Sequence, residues 1–316
     1  MGLVSVNLSL STLCGGNCVF CPPDRGERIG LKVMPFSYAK RIIDEVASSE
    51  FRRIHPVQKF EIGENGDALL NPEAINILRY LRLTNPDVFV RMTINFQNLT
   101  RDRSSVILGE RLVAQIVCNI DGHDAASYYR VKRLNLDAVG SNILDFLKLR
   151  EELGAKTSLV MASITFADYV KRIRENLGLL PSKLRGEDPI DIPDDFAEVQ
   201  KNWSKHLDPK RDTIFRSGIV GWAERARMSA REIDYKSYSC PNLKRVKEEC
   251  FIAPDGTWYA CCLDSKNELT LGNAVQETIS RIYQSERRLG LIRLLENNEY
   301  GLIGGPCRTV NCCQWL

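Results

Sequence analysis

Patterns for strands and helices alternate through the first half of the chain, and this alternation limits the possible folds more than any other feature. Residues 4–10 alternate apolar with polar side chains, placing Val4, Val6, Leu8 and Leu10 on one face as a strand does. Strand patterns recur at residues 59–62, 88–94, 113–120 and 156–165. Helical periodicity covers residues 36–49 and 72–83, and residues 136–154 with a terminating glycine at 154. Strands that alternate with helices pair in a parallel sheet through right-handed crossovers, either open or curled into a partial barrel. Functional groups then collect at the C-terminal edge of the strands, where the connecting loops converge.

A chain of 316 residues with 44% hydrophobic content can bury a large core. Its 43 basic and 40 acidic residues leave a net charge of +3, too small to argue for a nucleic-acid or membrane partner. The N-terminus lacks the basic start and apolar run of a signal peptide, and no stretch reaches membrane-spanning length, so a cytoplasmic location is expected. In a reducing compartment, 11 cysteines are metal ligands or reactive thiols rather than disulfides. Residues 167–212 are rich in charge, including the run GEDPIDIPDDF, and read as a helical insertion or a linker-like excursion. From Cys240 onward the chain turns cysteine-dense, and CFIAPDGTWYACC reads as a β-hairpin around Asp255-Gly256. The expected organisation is a large domain over residues 1–212, carrying the charged insertion, and a smaller one over residues 213–316.

Cys14-x-x-x-Cys18-x-x-Cys21 follows directly on the first strand pattern. Three thiolates on one short loop can hold an iron–sulfur cube and leave its fourth iron without a protein ligand. An open iron of that kind can chelate the amino and carboxylate groups of S-adenosylmethionine (SAM) and pass an electron into its sulfonium, chemistry that belongs to the cofactor rather than to the protein. A zinc ion completed by a distant residue is the competing use of the same thiolates. The loop resembles that of the radical SAM superfamily, whose signature has this spacing and an aromatic residue before the last cysteine, as Phe20 stands before Cys21. The resemblance implies an α/β fold, a partial (β/α)6 TIM-like barrel, and a [4Fe-4S] cluster with SAM on Cys14, Cys18 and Cys21. It also implies SAM contacts from three further segments. Gly66-Asp67-Ala68 stands where relatives have a Gly-Glu-Pro type motif, Asn95 precedes Phe96 where they have Asn-Gly, and Asn119 stands for the serine of Ser-x-Asp-Gly.

Downstream, the pattern Cys240, Gly256, Cys261, Leu271-Gly272-Asn273 and Cys307 is similar to the C-terminal auxiliary-cluster region of radical SAM enzymes, called SPASM in its longer form and twitch in its shorter one. A hairpin turning at Gly256 brings Cys240 and Cys261 to the same end of the module. The longer form holds two clusters on about seven cysteines, so the ligand count here fits one auxiliary [4Fe-4S] cluster on Cys240, Cys261, Cys307 and either Cys312 or Cys313, with Cys312 preferred. Zinc accepts the same four thiolates.

Cys250 belongs to neither set and is either a buried strand residue or a thiol that returns a hydrogen atom to a substrate radical. In the second case the resemblance implies epimerisation of a sugar, aminocyclitol or peptide after SAM is cleaved to a 5′-deoxyadenosyl radical. The alternatives are dehydrogenation, with the auxiliary cluster as electron acceptor, and a non-catalytic metal-binding module. Trp222, Glu224 and Arg225 are candidate substrate contacts. The expected partners are a small-molecule or peptide substrate and an electron donor of the flavodoxin or ferredoxin kind, with neither membrane nor nucleic acid.

Overall fold

A computed structural model describes residues 2–21, 32–164, 195–217, 239–264 and 266–307. Its centre is a 9-stranded sheet in the order β6-β5-β4-β3-β2-β1-β7-β8-β9. The strands are β1 Ser5–Leu8, β2 Lys59–Ile62, β3 Phe89–Thr93, β4 Gln115–Asn119, β5 Ser158–Ile164, β6 Thr213–Ser217, β7 Glu249–Ile252, β8 Thr257–Tyr259 and β9 Thr270–Asn273. Each strand from β1 to β6 pairs in parallel with its neighbour in sequence, which is the topology the alternation predicts. Helices cover this sheet: α1 Phe36–Ala47, α2 Ser49–Ile54, α3 Ala74–Thr84, α4 Arg101–Gly109, α5 Ala125–Lys132, α6 Leu136–Glu152 and α7 Phe196–Ser204. The C-terminal part adds α8 Leu243–Glu248, α9 Ile279–Tyr283, α10 Glu286–Glu296 and α11 Tyr300–Ile303.

Alternation along the strands sorts side chains to two faces. Val6, Leu8, Phe60, Ile62, Val90 and Met92 join Ile42, Ile43, Val46, Ile77 and Leu78 of α1 and α3 in the main core, and each such aliphatic burial contributes about 1.5–3 kcal/mol. The intervening positions are polar and face inward: Asn7, Glu61 and Arg91. Local signals fix the helix ends. Ser48 accepts a hydrogen bond from Phe51 N and starts α2, Thr100 caps α4, Asp124 forms a capping box with Ser127 at α5, and Asn135 caps α6.

One strand lies elsewhere than the sequence reading put it. The sixth strand, at residues 213–217, pairs with β5 and so lies with the parallel sheet rather than with the C-terminal part. It is anchored by Asp212, which takes both guanidinium nitrogens of buried Arg150 at 2.6 and 2.7 Å. Within the charged segment, residues 196–204 form α7, while residues 165–194 lie outside those described.

The hairpin at residues 255–256 forms as expected. Gly256 has φ +85°, a conformation that favours glycine, and a Cβ there would meet Val275 Cγ2 at 2.4 Å. β7 also pairs in parallel with β1, Cys250 opposite Val6, so the C-terminal module extends the barrel sheet instead of standing apart. Among the described residues no helix is long and apolar enough to cross a membrane.

Candidate functional site

The cysteine loop leaves β1 and is stitched to three other segments at the C-terminal edge. Leu13 O accepts from Asp67 N at 2.7 Å, and a Cβ on Gly66 would stand 2.4 Å from Ser11 O and 2.6 Å from Leu13 O, so only glycine allows this approach. Asn95, just beyond β3, donates from Nδ2 towards Cys14 Sγ at 3.6 Å. On the other side Asn17 N donates to Lys132 O at 3.1 Å and Val19 N to Val131 O at 2.9 Å, which pins the loop to the last turn of α5. Cys21 N closes a turn on Cys18 O at 3.1 Å. Cys18 and Phe20 are buried with Val131 and Ile164, and Cys21 packs against them. Behind them, Lys132 Nζ lies 3.1 Å from Asp121 Oδ2 and 5.3 Å from the centre of the Phe20 ring. Burial pushes the Asp121 carboxyl up, and the Lys132 ammonium opposes that.

The side chain of Asp67 is consumed inside the fold. It is buried, Oδ1 accepts from Leu69 N at 3.0 Å and Oδ2 from Asn98 Nδ2 at 2.8 Å, so only backbone is left to meet a ligand at Gly66-Asp67. Phe96 occupies φ +63°, the left-handed conformation for which glycine is the ordinary choice. Its buried ring meets Phe146 edge-on at 5.7 Å, and its carbonyl accepts from Asn142 Nδ2 at 2.9 Å. These contacts hold the backbone shape without the glycine. Asn119 ends β4 at the same edge, in register with Ala162.

Cys240, Cys261 and Cys307 come from three separate stretches of chain and line one small apolar pocket, walled by Val246, Leu269, Leu291 and Leu295. Among the described residues no three histidines, cysteines or carboxylates are grouped as one metal ion would need. A cuboidal cluster spreads its thiolates over separate irons. Cys240, Cys261 and Cys307 offer three thiols from separate segments to one such group. Cys312 and Cys313 lie outside the described residues, as do Trp222, Glu224 and Arg225.

Cys250, the candidate hydrogen donor, is not among the residues lining the barrel cavity. It is fully buried in the main core with Val6 and Ile252, on the helix-covered face, and burial pushes its thiol well up. Its neighbour Glu249 faces the barrel interior instead. Cys118 is likewise a core residue, its thiol pushed up to about 12 by desolvation.

Sequence reasoning passed over the barrel interior itself. A cavity of about 350 Å³ is lined by Lys59, Glu61, Ile62, Glu64, Arg91, Thr93, Arg245 and Glu249. The signal was present in the strand patterns, where Lys59 and Glu61 alternate with buried Phe60 and Ile62, and Arg91 stands between Val90 and Met92. Charges on the inward positions of a parallel barrel mark a polar interior. Arg245, from α8, links this cavity to the C-terminal hairpin. It lies 2.9 Å from Glu249, 3.5 Å from Glu64 and 2.8 Å from Cys262 Sγ, and over the Phe251 ring.

Residues 240–313 match the SPASM family, an iron–sulfur cluster-binding domain. No curated protein matches the chain by sequence. Among solved structures, the chain is similar to BtrN in complex with AdoMet and 2-DOIA, with a TM-score of 0.57 and 12% identity over 100% of this chain and 94% of that one. It is similar to Streptococcus suis SuiB bound to S-adenosylmethionine, with a TM-score of 0.60 and 15% identity over 98% and 77%. A third likeness is to native anSMEcpe with bound AdoMet, with a TM-score of 0.55 and 14% identity over 92% and 83%. The chain therefore shares the α/β fold of these AdoMet-bound structures, and its C-terminal part matches an iron–sulfur cluster-binding domain, in keeping with the fold class the sequence implied.

Proposed function

We propose that the chain is a radical SAM enzyme that takes a hydrogen atom from a substrate carbon, with oxidation as the outcome. The observation that carries this reading is the convergence of the Cys14–Cys21 loop, Gly66-Asp67 and Asn95 on one end of the sheet. Cys14, Cys18 and Cys21 would hold a [4Fe-4S] cluster, and Gly66, Asp67, Asn95 and Asn119 would contact SAM. Cys240, Cys261, Cys307 and Cys312 would hold the auxiliary cluster. When bound, these groups supply a SAM-derived radical at the sheet edge and a one-electron acceptor in the C-terminal module.

The chain's own residues do the positioning. Gly66 lets the cysteine loop close onto the exit of β2, Asp67 locks the following turn, and Asn95 donates towards Cys14. Lys132 and Asp121 keep the opposite side of the loop dry by pairing with each other and leaving Phe20 packed. Oxidation is favoured over epimerisation because the thiol that inversion calls for, Cys250, faces the helical layer rather than the cavity. Reduction of the first cluster requires an external donor, for which a flavodoxin- or ferredoxin-like protein fits.

Anaerobic reconstitution followed by iron and sulfide counting tests the assignment. About eight irons per chain, falling to about four in the Cys14, Cys18 and Cys21 triple alanine variant, is expected. With a chemical reductant and SAM the wild type releases 5′-deoxyadenosine and the triple variant does not. Zinc in place of iron, or no SAM cleavage, overturns the reading. Turnover in deuterium oxide separates the outcomes: solvent deuterium on the product carbon restores the epimerase, and a product two electrons more oxidised supports dehydrogenation.

A further inference from the structure

The six charged residues of the barrel cavity cancel in number but not in place. Glu61 is shared by two cations, Lys59 at 2.7 Å and Arg91 at 3.4 Å. Arg245 is shared by two carboxylates, Glu249 at 2.9 Å and Glu64 at 3.5 Å. One side of the cavity therefore carries a surplus positive charge and the other a surplus negative one. An apolar ligand would strip water from all six groups without replacing it, which is costly. A ligand charged at one end only would satisfy half of the cavity.

Glu64 shows that the negative side is built rather than incidental. It sits two residues beyond β2 with φ +84°, a left-handed conformation that is strained for a non-glycine residue and persists where the surroundings enforce it. That backbone shape directs a carboxylate inward between Arg245, Glu61 and Glu249. Burial pushes its pKa up to about 7, more than the Arg245 guanidinium offsets, and a further cation beside it would favour the charged form.

We propose that this cavity binds a small dipolar substrate, with a protonated amine held by Glu64 and Glu249 and an anionic group held by Lys59 and Arg91. The assignment rests on the reading above only in taking the barrel interior as the place of reaction. Arg245 then has two contacts that matter at once, since it touches the amine-binding carboxylates and, through Cys262, the residue next to Cys261.

Binding to the anaerobically reconstituted full chain, measured by calorimetry, tests it with three matched probes. Glucosamine 6-phosphate carries both charges, glucose 6-phosphate only the anion and glucosamine only the amine. The dipolar probe is expected to bind at least tenfold more tightly than either of the others. Glu64→Gln should remove the advantage over glucose 6-phosphate and keep that over glucosamine, while Lys59→Met should do the reverse. Equal affinities for the three probes, no binding of any, or unchanged preferences in both variants overturn the proposal. SAM cleavage measured on the same samples keeps the two readings apart: cleavage without probe preference sinks the cavity assignment alone, and probe preference without cleavage sinks the enzyme assignment alone.

Discussion

Glu64 makes the fold itself sensitive to pH. Its carboxyl titrates near 7 in the folded chain against an ordinary value of 4.5, chiefly because burial disfavours the charged form. A raised acid favours folding while it is protonated. That contribution is complete below about pH 4.5 and is lost as pH rises through about 7. Glu64→Gln removes the titration, so its unfolding midpoint should exceed that of the wild type at pH 8 and draw level near pH 5. The gap corresponds to about 1–3 kcal/mol, reduced from the full shift because 20% of the side chain is exposed. Thermal unfolding at the two pH values checks this, and a gap that does not change with pH would refute it.

Single residues were also where sequence reading succeeded or stopped for plain reasons. That the three loop cysteines and Gly66 stand in the segments following β1 and β2 was legible, because the strand patterns before them are local. The direction of Cys250 was not, since Cys250, Phe251 and Ile252 are all buried and β7 offers no polar alternation to tell one face from the other. The left-handed Phe96 was equally invisible, because a backbone conformation held by distant partners leaves no mark on its own side chain.

At the level of elements, β2 was legible to the residue and most other strands to within a few, because their apolar faces recur with period two. α4 and α5 were missed. Their buried sets are short and mixed with polar residues, Ser104 with Ile107 and Leu108 in one and Ser127, Tyr128, Val131 and Lys132 in the other, so no apolar stripe stands out. β6 was missed because its side chains are mostly exposed and it is held by the Arg150–Asp212 pair instead of by a core face. The junction between the cysteine loop and the exit of β2 carries a sharper prediction. Gly66→Ala sets a methyl against two backbone carbonyls and should push the loop off β2. Iron content after reconstitution should fall from about eight to about four per chain, with the auxiliary cluster retained. Full iron content in that variant would mean that the loop tolerates the displacement.

For the whole molecule, the pairing of β7 with β1 decides what can be separated. A fragment ending at residue 217 keeps the parallel strands but exposes the edge of β1 and uncovers the core beside it. Open edges of that kind pair with other chains. The fragment should therefore elute as aggregates in size-exclusion chromatography rather than as a folded monomer, and a monodisperse fragment with native far-ultraviolet dichroism would contradict this.

The same pairing bears on electron movement. The strand that feeds the first cysteine loop and the strand between the auxiliary cysteines are neighbours in one hydrogen-bonded ladder, Ser5 to Leu8 against Glu249 to Ile252. The spacing between the two ends of this ladder is set by the pitch of a sheet and not by a hinge. Under the proposed function, electron transfer between clusters at those ends would then run at a rate fixed by the scaffold, and control over turnover would come from what enters the barrel.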